Sequence, residues 1–242
     1  MIKIENFEVL GWEHAIRGMR NPMNSWENSD SVFIDEDGDW YTITGDSGPF
    51  KNVDEFSTDG QQVYIGPNDL DLMKRLRNAG TDHRKFMRMI TVYLDITAPL
   101  YWWKEFDTYK VGTVANSCST MHKIAAKEFT LEDFSCEHLF HNINDTEMWF
   151  DIDFLKVLDN TIFYLNKARE LYLKTHDKKY WWQMIQLLPS SYNQKRTVML
   201  NYEVLANIYP MRKNHKLNEW RDFCDWIETL PYSELITGEE YE

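Results

Sequence analysis

An α+β fold, with long helices around a mixed sheet, is the class this sequence predicts, and three observations lead to it. Segments with two-residue apolar alternation and segments with apolar residues every three or four positions are interspersed, without the strict β-α-β rhythm of a doubly wound sheet. Pro67, Pro99 and Pro189 stand where one kind of pattern gives way to the next, as residues that open or stop helices. A length of 242 residues with 43% hydrophobic composition suits one domain, residues 1–242, with a sizeable core.

The elements follow in order. Met1 to about Val9 alternates as an opening strand. Val32–Ile34 and Trp40–Ile43 flank Asp35-Glu36-Asp37-Gly38-Asp39 and read as a hairpin. That acidic turn lacks the glycine and glutamate positions of a calcium loop, so it reads as solvated. Pro67-Asn68 starts a helix over Leu70 to about Asn78, closed by Gly80. Ile90, Val92, Leu94 and Ile96 alternate as a strand that Ala98-Pro99 ends, and Pro99 opens a helix to about Tyr109. Apolar residues from Ile152 to Leu171 at steps of three and four predict a long amphipathic helix over Thr146–Thr175. Lys178–Leu188 is a second helix, stopped by Pro189, and Tyr192–Leu200 a strand. Asn201 caps a helix to Arg212 in which Pro210 tightens the last turn, and Asn218–Leu230 is the last helix.

Charge and composition exclude several function classes. A net charge of −13, with only short basic runs at Lys74–Arg77 and Arg212–Lys216, argues against nucleic acid as a partner. No apolar run approaches the length of a membrane span, and Met1–His14 lacks the pattern of a signal peptide, so a cytoplasmic protein without membrane association is expected. Three widely spaced cysteines, Cys118, Cys136 and Cys224, fit a reducing compartment better than a disulfide framework. The set Cys136, His138, His141 lacks a fourth ligand nearby, and no metal is expected. The 10 Trp, 13 Tyr and 13 Phe suit cores, interfaces or stacking surfaces; Trp102-Trp103 and Trp181-Trp182 read as core or interface.

Two segments carry chemistry together. One is Ala98-Pro99 through Lys104-Glu105 and Thr108-Tyr109-Lys110 to Asn116-Ser117-Cys118-Ser119-Thr120-Met121-His122. The other is Leu188-Pro189, Tyr192-Asn193, Asn201, Asn207 and Arg212, followed by Leu217-Asn218-Glu219-Trp220-Arg221. In this frame the chain resembles the flavin-dependent thymidylate synthases over about residues 67–125 and 155–228, with Gly80-Thr-Asp-His83 resembling the family's Gly-His step. The second segment keeps the family's Asn-to-Arg helix without gaps. The first keeps the frame but changes the chemistry: Lys104-Glu105 replaces Arg-Gln, Thr108-Tyr109-Lys110 replaces Arg-His-Arg, and the later Glu, Arg and Tyr are gone. Residues 20–65, acidic and rich in Gly, Ser and Asp, have no counterpart in the family pattern and read as an insertion.

The resemblance implies a single domain of that family's type, a homotetramer with sites between subunits. It implies reductive one-carbon transfer to a pyrimidine nucleotide with FAD as cofactor and NADPH and methylenetetrahydrofolate as co-substrates, the flavin carrying the chemistry and the protein orienting it. Arg212 and Ser119 take the catalytic positions; Glu105, Ser119 and Arg212 line the substrate; His83, Lys110, Asn201 and Asn207 line the flavin. Arginine's bidentate fork is not replaced by Thr, Met or Ile, so the altered motif also implies a divergent member that binds nucleotide or flavin without making thymidylate.

Overall fold

The computed structural model describes residues 1–35, 37–46, 63–140 and 153–238. Its elements are β1 (Lys3–Leu10), α1 (Trp12–Arg20), β2 (Val32–Ile34), β3 (Trp40–Tyr41), β4 (Val63–Tyr64), α2 (Pro67–Asn78), β5 (Thr91–Pro99), α3 (Leu100–Phe106), β6 (Val114–Ser117), α4 (Thr120–Lys123), α5 (Phe154–Thr175), α6 (Lys178–Leu187), β7 (Asn193–Asn201), α7 (Tyr202–Arg212), α8 (Asn218–Glu228) and α9 (Glu234–Thr237). Glu36, His141 and the expected helix start at 146–152 lie outside the described residues.

The α+β class is borne out. A four-stranded sheet runs in the order β1-β5-β7-β6, and a three-stranded one in the order β3-β2-β4. Every described pairing is antiparallel, which corrects the expected mixed sheet. Parallel neighbours need a crossover that returns the chain to the same end of the sheet, and these connections bring each strand back reversed. β5 sits in the middle, with Val92, Leu94, Ile96 and Ala98 buried and Tyr93 43% exposed between them. That alternation marks a strand with one face on the core.

The helix that carries most of the candidate residues is itself core. In α7, Tyr202, Val204, Leu205, Ala206, Ile208 and Tyr209 are all buried, so it is apolar nearly all round and packed from several sides. Trp102, Trp103, Trp220 and Phe223 fill the space between α3 and α8, with rings in edge and tilted contacts. A second, smaller cluster, including Phe129, Phe134, Leu165 and Met184, lies under α5 and α6. The paired tryptophans therefore divide: Trp102 and Trp103 are core, whereas Trp182 is 43% exposed.

Three helices escaped the sequence reading: α1, α4 and the four-residue α9, which follows the helix that the sequence marks as the last. α1 follows Gly11, whose φ of +92° and whose approach to Met89 O, 2.1 Å from where a Cβ would stand, only glycine tolerates. α4 is a single turn capped by Ser119, too short to show a period. The segment from residue 20 is bound into the fold by charge. The carboxylate of Asp69, fully buried in α2, accepts from Arg20 Nε at 2.6 Å, from the Ser29 and Ser31 hydroxyls at 2.6 Å each, and from the Ser31 amide at 3.1 Å. Asp30 in turn accepts from the Asn68 and Asp69 amides at 2.9 and 3.0 Å, capping a helix whose own N-cap is Gly66.

Candidate functional site

The site is built where the loop after α3 lies along β7 and α7. β7 runs directly into α7 through Asn201, whose side-chain oxygen accepts from the Val204 amide at 3.0 Å. This is the N-cap the sequence predicts; eleven residues later, about three turns and roughly 16 Å along, Arg212 returns to nearly the same face. The loop is fastened at three places. Asp107 pairs with Arg196 of β7 at 2.7 Å. Tyr109 offers its hydroxyl oxygen to Arg212 Nε at 2.9 Å. Gly112, at φ +78°, passes so close that a Cβ would stand 3.1 Å from both Asn201 Nδ2 and Val204. Its left-handed backbone favours glycine there, and a Cβ would also push those two side chains back by a few tenths of an ångström.

At the far end of α7 the guanidinium of Arg212 is held on three sides. Nη1 donates to Glu105 Oε2 at 2.5 Å, Nε donates to Tyr109, and the carbon of the group lies 4.4 Å from the centroid of the Trp220 ring. Glu105 Oε2 also accepts from Trp220 Nε1 at 3.0 Å and lies 3.5 Å from His215 Nε2. The Arg212 side chain is 16% exposed and that of Glu105 36%, so the pair sits at the mouth of the site and not in the core. One turn earlier in α3, Tyr101 donates to the buried Glu219 of α8, and burial followed by that carboxylate pushes the phenol pKa up. Tyr101 therefore stays a donor and pins α3 to α8 beneath the pair.

The other predicted residues fall in three places. Asn207 accepts from Arg84 Nη2 at 2.8 Å, and Arg84 and Arg88 both reach Glu203. His83, next to Arg84, is exposed, its amide donating to Gly80 O at 3.0 Å. Lys110 is exposed on the loop between Tyr109 and Gly112. Ser119 accepts from the His122 amide at 3.0 Å and lines a cavity of about 120 Å³ with Lys123, Lys127, Tyr192 and Gln194. β6 pairs Ser117 with Arg196, so Ser119 emerges beside the start of β7, whereas Arg212 lies beyond its end and the whole of α7.

Thus the structure joins Glu105 to Arg212 and sets Lys110 between that pair and Asn201. It places His83 beside the Arg84 that Asn207 holds. Within the one chain it does not bring Ser119 to Arg212. Tyr109, Trp220 and His215 were not among the predicted site residues. A signal was present for two of them, since Tyr109 stands inside the altered Thr108-Tyr109-Lys110 motif and Trp220 inside Leu217-Asn218-Glu219-Trp220-Arg221. Nothing in sequence spacing, however, says that an arginine will take an aromatic face eight residues on and a carboxylate 107 residues back.

Solved structures match this arrangement of elements over almost the entire chain. Thymidylate Synthase X (ThyX) from Helicobacter pylori, crystallised with FAD and dUMP, aligns with a TM-score of 0.62 at 16% identity, covering 98% of both chains. A second structure of the H. pylori enzyme with FAD and dUMP aligns at 0.59 and 17%, over the same shares. The chain has the ThyX fold. A UMP/dUMP methylase, PolB from Streptomyces cacaoi, bound with 5-Br UMP, shares the ThyX fold with this chain at a TM-score of 0.56 and 11% identity, covering 98% of this chain and 95% of its own. No protein-family model and no curated protein sequence matches the chain. Among the described residues, no helix is long and apolar enough to cross a membrane.

Proposed function

We propose that this chain is a flavin-dependent enzyme that transfers a one-carbon unit reductively to a pyrimidine nucleotide, deoxyuridylate or a close relative. The observation that carries the reading is the loop 107–113 laid along α7, touching Arg212 at one end of the helix and Asn201 at the other. Those are the two ends at which the resemblance places pyrimidine and flavin. Arg212 and Glu105 hold the pyrimidine ring, and an arginine there stabilises charge that develops on the ring during transfer. Ser119 belongs to a substrate site completed by a neighbouring subunit, which is consistent with its distance from Arg212 within one chain. His83, Lys110, Asn201 and Asn207 line the flavin.

The residues present fit such a cofactor at one point, on the loop along α7. Among the described residues, Thr113 Oγ1, one residue on from Gly112, is buried without a hydrogen-bond partner, as are Trp102 Nε1, Trp226 Nε1 and Arg84 Nε, the last of which lies 3.5 Å from the Glu203 carboxylate. Buried polar atoms are rarely left so, and a polar ligand along α7 would satisfy the Thr113 hydroxyl. Bound FAD, reduced by NADPH, would supply the electrons for methylene transfer from methylenetetrahydrofolate, while the protein holds the ring and excludes water.

A second reading has an observation of its own. The arginines of the motif are replaced, and the retained Arg212 is already matched by Glu105. That favours a protein which binds flavin or nucleotide without making thymidylate.

A homotetramer completes the proposal. Along α5, Val157, Tyr164 and Leu171 fall at seven-residue intervals on one face and are 63%, 61% and 41% exposed. Such a stripe suits packing against another helix. Incubation with FAD followed by gel filtration with absorbance and light-scattering detection tests both parts. The expected result is flavin absorbance eluting with a particle of about four times 29.0 kDa. A colourless monomer would remove both the cofactor and the composite site.

A further inference from the structure

The Glu105–Arg212 pair fixes the kind of ligand group that this end of the helix accepts. Every contact found for the Glu105 carboxylate goes to Oε2: Arg212 Nη1 at 2.5 Å, Trp220 Nε1 at 3.0 Å and His215 Nε2 at 3.5 Å. Oε1, on a side chain 36% exposed, has no partner among the described residues. Arg212 is used at Nε and Nη1 and stacked on Trp220, and its Nη2 has no hydrogen bond to a described residue. The mouth of the site therefore offers one donor, Arg212 Nη2, near one acceptor, Glu105 Oε1. An ionised carboxylate can only accept, and an arginine can only donate.

We infer that Glu105 is a specificity-determining residue: it neutralises Arg212 and makes this end of α7 a site for a neutral ring edge carrying an N–H beside a carbonyl or ring nitrogen, and not for a phosphate. This rests on the pyrimidine-nucleotide reading and sharpens it, since a pyrimidine base has such an edge and its phosphate must find its cations elsewhere. The physical reason is charge. A phosphate monoester approaching Arg212 meets the Glu105 carboxylate 2.5 Å from the same guanidinium, so the attraction of one is offset by the repulsion of the other. Displacing Glu105 would also strip Trp220 Nε1 of its acceptor and leave a buried donor unpaired. A base edge needs neither group moved.

The test reads Arg212 itself. The full-length protein and its Glu105→Gln variant are treated with phenylglyoxal, and the extent of Arg212 modification is followed by mass spectrometry, alone, with inorganic phosphate, and with deoxyuridine. The wild type is expected to react slowly, with no protection by phosphate. Glu105→Gln is expected to react about tenfold faster, the scale of one lost charge-assisted bond, and phosphate should now protect it. Phosphate protection of Arg212 in the wild type would overturn the inference, and this arm needs no variant to fold. So would a Glu105→Gln rate equal to the wild type. Deoxyuridine protection tests the pyrimidine reading separately: if it fails while phosphate behaves as expected, the charge selection stands and the base is another heterocycle.

Discussion

Replacing Asp69 with alanine is expected to lower the stability of the folded chain by about 3–5 kcal/mol, the range for removing one partner of a buried ion pair. Asp69 and Arg20 are 0% and 4% exposed, and four donors besides the arginine converge on the one carboxylate: the hydroxyls of Ser29 and Ser31 and the amides of Asp30 and Ser31. Without it, a guanidinium stays buried with no counter-charge, and two hydroxyls lose their acceptor. Domains of this size are stable by about 5–15 kcal/mol in all, so the loss approaches the whole margin. Urea denaturation measures it as a lower midpoint at constant slope. Asp71→Ala is the control, because Asp71 and Arg75 form a similar pair at 65% and 68% exposure, where such pairs are worth less than about 1 kcal/mol. Equal shifts for the two variants would mean that Asp69 is not what fastens residues 20–34 to α2.

The sequence makes local order legible and leaves long-range pairing opaque. Asn201 as a cap is readable because its oxygen serves an amide only three residues on. β5 is readable because one buried face imposes a two-residue alternation on its own stretch of chain. β6 escapes notice for the converse reason: all four of its residues are exposed, so no burial pattern marks it, and only its ladder to β7 makes it a strand. Residues 20–65 look like a loose acidic insertion because Arg20 and Asp69, whose bond holds its first part, are 49 residues apart. The same limit applies to the site. The frame from Asn201 to Arg212 is carried by one helix and survives in sequence. That Glu105 faces Arg212, and that Tyr109 and Trp220 complete the enclosure, depends on α3 and α8 meeting through Tyr101–Glu219 and the tryptophan cluster. The replaced motif could be seen as lost chemistry, but its new partners only emerge once the chain is folded.

Deoxyuridylate is expected to bind weakly, and almost entirely through Arg212. The weakness follows from Thr108-Tyr109-Lys110 and Met121, which offer one lysine where bidentate arginine forks would grip phosphate and flavin. The dependence follows from the enclosure, since Arg212 touches Glu105, Tyr109 and Trp220 at once. Arg212→Ala removes the donor to the ring and also leaves Glu105 as an uncompensated negative charge at the mouth. Loss of one charge-assisted bond at about 1.5–3 kcal/mol corresponds to roughly 10- to 100-fold in affinity. Titration calorimetry of deoxyuridylate into the wild type and Arg212→Ala, each preloaded with FAD, is the most direct measurement of the claim that α7 and the loop along it form a pyrimidine-nucleotide site. The account predicts a weak but saturable isotherm for the wild type and one at least about tenfold weaker for Arg212→Ala. Equal affinity in the two proteins would contradict it, and would make Arg212 a helix-end charge that serves only the dipole of α7.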